Sequence, residues 1–243
     1  IASGAVEAPT FHSLALVVSN KAYAAGLRSA RDLPGHSFAL TQMGTGLQYT
    51  LGLIAKREGF DPKTVQLLPL QSNPNIASAL AGGRADAAVF DFTNALPLLQ
   101  KDEVKRIGWA GDMTGYDPAF LVFATRDMLD RHPDTVRRFL AAYRKATEAY
   151  AAAFVDKDGK RKDGPTAPQA VAMIAKWIGQ PADRVTDGLP DFDPEGRIDL
   201  AAMRDQIDWY RLFGAIKTKV DARAIVDKRY AIERPETHAA AAR

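Results

Sequence analysis

The residues best suited to hold a small charged molecule form a glycine-rich turn, Gly44-Thr45-Gly46, with Leu47 directly after it. Strand-forming residues precede this turn and a helical pattern follows it, so the turn would present the first N–H groups of a helix. These groups carry partial positive charge and attract a carboxylate, sulfonate or phosphate. Because glycine has no Cβ, a ligand could lie directly against the backbone. An ordinary capped turn without a ligand is the alternative interpretation.

No catalytic or metal-binding motif accompanies the turn. The sequence has no Gly-x-Ser-x-Gly elbow, no phosphate-binding loop with Gly-Lys-Ser/Thr and no cysteine, which removes thiol catalysis and thiolate metal sites. Two aspartate-rich segments, near Asp156 and Asp191, lack the acid that a calcium loop needs at its twelfth position. The four histidines are scattered along the chain: His12, His36, His132 and His238. We therefore expect no catalytic residue, no metal and no cofactor.

Composition is typical of a globular protein, with neither the basic excess of a nucleic-acid-binding protein nor a membrane-spanning segment. The chain has 243 residues, a formal net charge of +3 and no apolar run near the roughly 20 residues of a membrane span. This length allows one large domain or two lobes of roughly 100 residues each. Because the chain begins at Ile1, we expect a processed or truncated form.

The first half of the chain alternates strand and helix patterns. Strands are predicted at 14–18, 37–41, 65–70, 85–90 and 104–110, and helices at 21–32, 47–58, 73–80 and 94–99. This alternation predicts a βαβ arrangement with parallel strands. Ligands in such sheets lie beyond the carboxyl ends of the strands, where both 44–47 and 91–93 fall.

The second half is mainly helical. A strand is predicted at 119–124, followed by helices at 134–154, 168–178, 182–189, 200–213 and 220–226 and by a frayed tail at 238–243. His12, just before the first buried strand, is a candidate ligand residue, although a merely solvated or hydrogen-bonded histidine is the more common case.

The order of these elements resembles the solute-binding proteins of ABC importers for nitrate, sulfonate, taurine and thiamine-precursor-like ligands. The resemblance extends over nearly the whole chain, and each of its motifs is weak when taken singly. It is carried by Asp32-Leu33-Pro34-Gly35, by Gly44-Thr45-Gly46, by the passage from Ala79 to Ala88, and by Ile198-Asp199-Leu200 with Asp208-Trp209-Tyr210.

The resemblance implies an α/β fold, the two-lobe type II fold of periplasmic binding proteins, closing on its ligand as a hinged clamp. Residues 1–25 and 119–243 would form part of the first lobe with the hinge strands and C-terminal helices, and residues 26–118 the second lobe. Leu14–Val18 and Ala119–Ala124 would cross between the lobes. The family's opening βαβαβ segment is missing, so the first lobe would be incomplete at its N-terminus.

The implied function is that of an extracytoplasmic or periplasmic substrate-binding protein of an ABC transporter. It would capture a small anionic solute between the lobes, sulfonate- or carboxylate-like, with an aromatic solute allowed, and present it to ABC permease subunits. The protein would act as a monomer, without nucleic acid and without a transmembrane segment. The residues expected to contact the ligand are Phe11, His12, Gly44, Thr45, Gly46, Leu47, Phe90, Asp91, Phe92, Thr93 and Tyr116.

Two departures from the family pattern bear on the ligand. Phe92-Thr93 replaces a proline–aromatic pair, and Leu47-Gln48 replaces more polar residues, which allows a larger or more apolar solute. Two alternatives remain open. One is an enzyme on the same scaffold, a dehydratase or a pyrimidine synthase, the latter resembling a cysteine-dependent class. The other is the effector domain of a transcription factor.

Overall fold

The structure is a computed structural model that describes residues 1–118 and 120–235. Its strands are β1 (Ala2–Ser3), β2 (Ala5–Val6), β3 (Leu14–Ser19), β4 (Ser37–Leu40), β5 (Gln66–Pro69), β6 (Ala87–Asp91), β7 (Val104–Trp109), β8 (Leu121–Val122) and β9 (Asp191–Phe192). Its helices are α1 (Asn20–Ala24), α2 (Gly46–Glu58), α3 (Asn73–Ala81), α4 (Phe92–Gln100), α5 (Ala110–Thr114), α6 (Arg126–Arg131), α7 (Pro133–Phe154), α8 (Ala167–Ile178), α9 (Ala182–Asp187), α10 (Leu200–Leu212) and α11 (Ala222–Ile225). The predicted tail at 238–243 and Ala119 of the predicted strand lie outside the described residues.

The chain divides into two compact units. Unit 1 comprises Ile1–Val6, Pro118–Ala167 and the residues from Asp191 on, and unit 2 comprises Glu7–Asp117 and Pro168–Pro190.

Unit 2 is built on a five-stranded sheet in the order β5-β4-β6-β3-β7. Strand β4 pairs in parallel with β5 and β6, which confirms the predicted parallel pairing for these three strands but not for β3. Strand β3 pairs antiparallel with both β6 and β7. The ends of β4, β5, β6 and β7 and the start of β3 therefore lie along one edge of the sheet, which we call the carboxyl edge.

The central position of β3 corrects one prediction. Its six residues are all buried, and a strand that is apolar on both faces is stable only inside a sheet covered on both sides. Leu14–Val18 is thus a core strand rather than a crossing strand, and residues 7–25 group with the sheet of unit 2 rather than with the first lobe.

Helices cover both faces of this sheet. On one face, Leu14, Leu16 and Val18 of β3 pack in a cluster with residues of α1, α2 and α5. On the other, Ala15 and Val17 pack with residues of α3 and α4. This alternation follows from the two-residue period of a strand.

Most of the predicted elements of unit 2 are present, with two local differences. Helix α1 ends at Ala24 and a separate 3-10 turn spans Ala30–Asp32, because Gly26 between them has a φ of +114° that no helix can accommodate. Helix α3 extends to Ala81, one residue beyond the predicted 73–80, and is capped by the side chain of Ser72, which accepts from the N–H of Asn75.

Unit 1 contains two short antiparallel ladders, β1 with β8 and β2 with β9, and the long helix α7. Val136 and Leu140 of α7 pack with Ala2 and Tyr230 in one core cluster, and α10 and α11 share another. The predicted strand at 119–124 is reduced to Leu121–Val122 in the described chain. Among the described residues, none of the helices combines the length and the apolar character that a membrane crossing requires.

Asp86 joins the starts of β4 and β6 in unit 2. Its Oδ2 accepts from the backbone N–H and the hydroxyl of Ser37, both at 2.9 Å, and lies 3.4 Å from Nδ1 of His36. Burial of the carboxyl acts to raise its pKa, but the bonds from Ser37 and the nearby His36 outweigh burial, and the pKa of Asp86 is lowered. The ionised side chain is therefore stabilised by the fold.

We expect Asp86→Ala to lower the free energy of unfolding by about 1–3 kcal/mol, because the N–H of Ser37 would lose its partner at a strand start. Urea denaturation followed by circular dichroism measures this. Asp205→Ala, at an exposed position of α10, is the control and should change stability by less than about 0.5 kcal/mol. Equal stability of the two variants would contradict the assigned role.

Candidate functional site

The turn at the start of α2 lies at the carboxyl edge, directly after β4. Thr45 is the N-cap residue with extended backbone, and the helix begins at Gly46. Gly44 has a φ of +79°, a conformation that favours glycine, which explains the residue type at this position. The sequence-based location of the turn is therefore confirmed.

Only part of the turn's hydrogen-bonding capacity is used inside the protein. The N–H of Gly44 donates to Oε1 of Gln48 at 2.7 Å, and the hydroxyl of Thr45 donates to the carbonyl of Gln42 at 3.1 Å. In the described chain, the N–H groups of Gly46 and Leu47 have no protein acceptor, and both residues are half-buried. Two amides at the N-terminus of a thirteen-residue helix thus remain open to a ligand.

Gln48, which the sequence analysis considered only as a departure from the family pattern, holds this turn in place. It is only 5% exposed, and its side chain reaches back over the helix start to hold Gly44. The position four residues after the glycine, on the buried face of α2, is the signal that could have revealed it.

A buried acid lies behind this turn. The hydroxyl of Thr50 donates to Oδ2 of Asp117 at 2.6 Å and lies 3.1 Å from the carbonyl oxygen of Gly46. Asp117 is fully buried, and its Oδ1 has no hydrogen-bond partner in the described chain. Burial, only partly offset by the bond from Thr50, raises the pKa of Asp117 to about 6.

A second buried acid, Glu7, is tied to Asp117 through the backbone, with each N–H donating to the other's carbonyl at 2.9 Å. The Glu7 carboxyl contacts the hydroxyl of Ser13 and accepts from the N–H of Leu14 at 3.2 Å. Burial raises the pKa of Glu7 to about 8; the bonds from Ser13 and Leu14 lower it, and the charges of Asp117 and Asp91 raise it further. Asp117 loses its proton first, so Glu7 titrates against an existing negative charge.

Asp91 ends β6 and precedes α4, as predicted. Its Oδ2 lies 3.5 Å from the amide nitrogens of Asn73 and Asn94, and burial, partly offset by these contacts, raises its pKa. Thr93 is half-buried in the first turn of α4. The carboxyl edge thus carries three acids with raised pKa values.

His12 and Phe92 come together around Trp109, the last residue of β7. The ring of His12 is stacked on Trp109 with centroids 4.7 Å apart and planes 5° apart, and its Nε2 lies 3.3 Å from Oδ1 of Asp112. Phe92 meets Trp109 edge-on at 4.8 Å. Sequence reasoning missed Trp109, although a large aromatic residue at the carboxyl end of a strand was a usable signal.

Phe11 and Phe90 do not offer a surface to a ligand. Each is 1% exposed, and Phe90 belongs to the core cluster below α3 and α4. The expectation that both provide apolar contact is therefore not supported by their placement. Tyr116, directly before Asp117, is half-buried.

The predicted site residues thus fall into two groups within unit 2. Gly44 to Leu47 lie at the end of β4, and His12 and Phe92 lie around the end of β7. In the sheet order, β6 and β3 separate these two strands.

The model of one sequence family, described as NMT1/THI5 like, matches residues 6–153, which is more than half of the chain. The chain belongs to the NMT1/THI5-like family. No curated protein matches it in sequence. The matched segment contains both groups of candidate residues and the two buried acids, Glu7 and Asp117.

Solved structures establish the fold of this NMT1/THI5-like chain. The periplasmic aliphatic sulphonate binding protein SsuA from Escherichia coli superposes with a TM-score of 0.64 at 20% identity, covering 96% of this chain and 71% of that chain. The alkanesulfonate-binding protein SsuA from Xanthomonas axonopodis pv. citri, bound to MOPS, superposes with a TM-score of 0.61 at 18% identity. This match covers 93% of this chain and 70% of that chain. The predicted type II fold of periplasmic binding proteins is confirmed.

An enzyme shares the architecture at lower similarity. The desulfurization enzyme DSZB, solved as a C-to-S variant in complex with biphenyl-2-sulfinic acid, gives a TM-score of 0.52 at 14% identity, covering 96% of this chain and 77% of that chain. The present NMT1/THI5-like chain has no cysteine.

Stability of the protein should fall as pH rises from about 4.5 to about 8 through the titration of Glu7. Its native pKa of about 8 lies above the ordinary 4.5, so the native state binds more protons than the unfolded state in this window, at up to about 1.4 kcal/mol per pH unit. Glu7→Gln keeps the shape of the protonated acid and removes this slope. In thermal melts, the melting temperature of the variant relative to that of wild type should be higher at pH 8.5 than at pH 5.5.

The matched control is Glu148→Gln, at an exposed position of α7. Its melting temperature should change between the two pH values by as much as that of wild type. If the melting temperature of Glu7→Gln also changed by as much as that of wild type, the Glu7 carboxyl would not be protonated in the native protein.

Proposed function

We propose that this protein is the substrate-binding component of an ABC importer and captures a small sulfonate- or carboxylate-like anion at the carboxyl edge of unit 2. The observation that carries this is the pair of unpartnered amides of Gly46 and Leu47 at the start of α2. Thirteen residues of aligned peptide dipoles end at these two N–H groups. The anion would therefore meet two donors and the positive end of a helix.

The glycine turn allows close approach. Gly44 is exposed, and Gly46 has no side chain to cover its own N–H. The side chain of Gln48 accepts from the N–H of Gly44 and holds the loop in place. Such pre-organisation lowers the cost of ordering the site when ligand binds.

The buried acids oppose an anion less than their number suggests. Glu7, with a pKa of about 8, is protonated at neutral pH, whereas Asp117, with a pKa of about 6, is ionised there. Oδ2 of Asp117 is occupied by the hydroxyl of Thr50. The net charge behind the turn is thus smaller than three carboxylates would give.

The relatives support the class of ligand, the partners and the location. Two SsuA proteins of the same fold are described as binding sulfonates, and one of them as periplasmic. By analogy, the proposed ligand is a sulfonate or carboxylate and the proposed location is extracytoplasmic. For an importer component we further propose permease subunits as partners and a monomeric state.

An enzyme on the same scaffold is the second candidate, favoured by the likeness to DSZB. A thiol nucleophile from this chain is excluded, because the sequence has no cysteine. The identified ligand would separate the two: a carrier returns it unchanged after prolonged incubation, whereas an enzyme converts it.

The turn can be tested by removing one N–H without unfolding the helix. Gly46 is the first residue of α2, and Thr45 before it has the extended backbone that proline requires of its predecessor. We expect Gly46→Pro to keep the melting temperature within a few degrees and to weaken binding of methanesulfonate about tenfold or more, since one charge-assisted hydrogen bond is lost. Isothermal titration calorimetry measures the affinity.

Ala182→Pro is the matched control, because it places proline at the first residue of another helix, α9, after Pro181 with extended backbone. It should bind methanesulfonate as wild type does. Native mass spectrometry of the purified protein would identify a co-purified solute. A cationic solute such as a polyamine, or equal affinity of wild type and Gly46→Pro, would contradict the proposed anion site.

A further inference from the structure

Thr50 lies between the proposed anion site and a buried acid. Its hydroxyl oxygen is 2.6 Å from Oδ2 of Asp117 and 3.1 Å from the carbonyl oxygen of Gly46, one helical turn earlier in α2. A hydroxyl group has a single hydrogen, so it can donate fully to only one of these two oxygens at a time. The protonation state of Asp117 decides which oxygen receives it.

The carbonyl of Gly46 belongs to the same peptide group as the N–H of Leu47. That N–H is one of the two amides at the start of α2 that have no protein acceptor in the described chain. A hydrogen bond donated to a peptide oxygen polarises the whole group and makes its N–H a stronger donor. The hydroxyl of Thr50 can therefore act on the N–H of Leu47 through the peptide group.

The surroundings of Asp117 favour the neutral acid. Its side chain is fully buried, and Oδ1 has no hydrogen-bond partner in the part of the chain that the structure describes. When Asp117 is ionised, its Oδ2 takes the hydrogen of Thr50, and a negative charge lies behind the turn. When Asp117 is protonated at Oδ2, it can donate to the oxygen of Thr50, whose own hydrogen turns to the carbonyl of Gly46. One proton thus removes the charge and reverses the hydrogen bond.

The groups around Asp117 leave its titration separate from theirs. Glu7, paired with it through the backbone, has a pKa raised to about 8 by burial and stays mostly protonated up to pH 7. Other charged groups lie in the last turn of α2, in α5 and at the end of β6: Lys56, Arg57, Glu58, Asp112 and Asp91. Asp112 and Glu58 have partners of their own, while the pKa of Asp117 is raised by burial and lowered by the bond from Thr50.

We propose that Asp117 and Thr50 form a proton-controlled relay that sets the strength of anion binding at the N–H of Leu47. Protonation of Asp117 tightens binding, and its ionisation weakens binding. The inference rests on the proposed function, since it concerns the same turn. Neither side chain would touch the ligand, so both are positioning residues. By linkage, a bound anion favours the protonated acid in return, and binding near pH 6 takes up part of a proton.

The test measures methanesulfonate affinity by isothermal titration calorimetry at pH 5 and pH 7. Methanesulfonic acid is a strong acid, so the charge of the probe is the same at both pH values. Wild type should bind about threefold or more tightly at pH 5 than at pH 7. Titrations at pH 6 in buffers of different ionisation enthalpy should show the proton uptake.

Asp117→Asn keeps the shape of the acid and stays neutral. It should bind methanesulfonate about threefold or more tightly than wild type at pH 7, with equal affinity at pH 5. A gain of affinity cannot come from partial unfolding, and all four histidines remain in this variant. The matched control is Asp205→Asn, at an exposed position of α10, which should keep the pH dependence of wild type.

Two substitutions of Thr50 test the relay itself. Thr50→Val removes the bond that lowers the pKa of Asp117, so the midpoint of the affinity change should move to higher pH. Its affinity at pH 5 should be about twofold lower than that of wild type, because the carbonyl of Gly46 loses its donor. Thr50→Ser restores the hydroxyl and should restore both properties. Thermal melts verify that the variants fold.

The outcomes separate the relay from the anion site. If wild type binds methanesulfonate equally at pH 5 and pH 7, or if Asp117→Asn keeps the pH dependence, the relay is overturned, while weaker binding by Gly46→Pro still supports the anion site. If Gly46→Pro binds as wild type does, or wild type does not bind methanesulfonate at millimolar concentration, the anion site is wrong and the relay is overturned with it.

Discussion

The antiparallel pairing of β3 with both β6 and β7 is the constraint on which the candidate sites depend. Because β3 runs against its neighbours, its first residues lie where theirs end. This places His12 beside Trp109 and the buried carboxyl of Glu7 beside the start of β3. A parallel β3 would have put these residues at the opposite edge. The pairing is stabilised by burial of all six residues of the strand on both of its faces.

Helix α2 has groups both at the surface of this edge and in the protein interior. At its start it presents two unpartnered amides to solvent, and one turn later the hydroxyl of Thr50 donates to a buried carboxylate. The positive end of the helix dipole therefore lies at the amides that have no protein acceptor, and the buried acids lie behind them. Burial keeps one of these acids, Glu7, protonated at neutral pH, which limits the opposing charge. In the proposed anion site, the affinity of the turn would depend on this balance between the helix dipole and the acids.

The carboxyl edge carries chemically different groups at the ends of β4 and β7. Backbone amides at the end of β4 suit any small oxyanion, because they recognise charge and not shape. At the end of β7, the indole of Trp109 instead packs against the ring of His12 and the guanidinium of Arg106. The two ends of this edge therefore differ chemically: backbone amides without a protein acceptor follow β4, and an aromatic and cationic cluster lies at the end of β7.

Local sequence signals determined much of this protein. The glycines at 44 and 59 mark the start and end of α2, and the alternation of apolar strands and helices predicts the sheet of unit 2, because turn conformations and amphipathic periods are properties of neighbouring residues. Only the tertiary structure decided that β3 lies at the centre of the sheet, that Phe11 and Phe90 are buried, and that Trp109, Arg106 and His12 meet. Strand order and direction join residues far apart in the chain. No local pattern records which strands become neighbours, since the burial that selects the pairing is shared by the whole sheet.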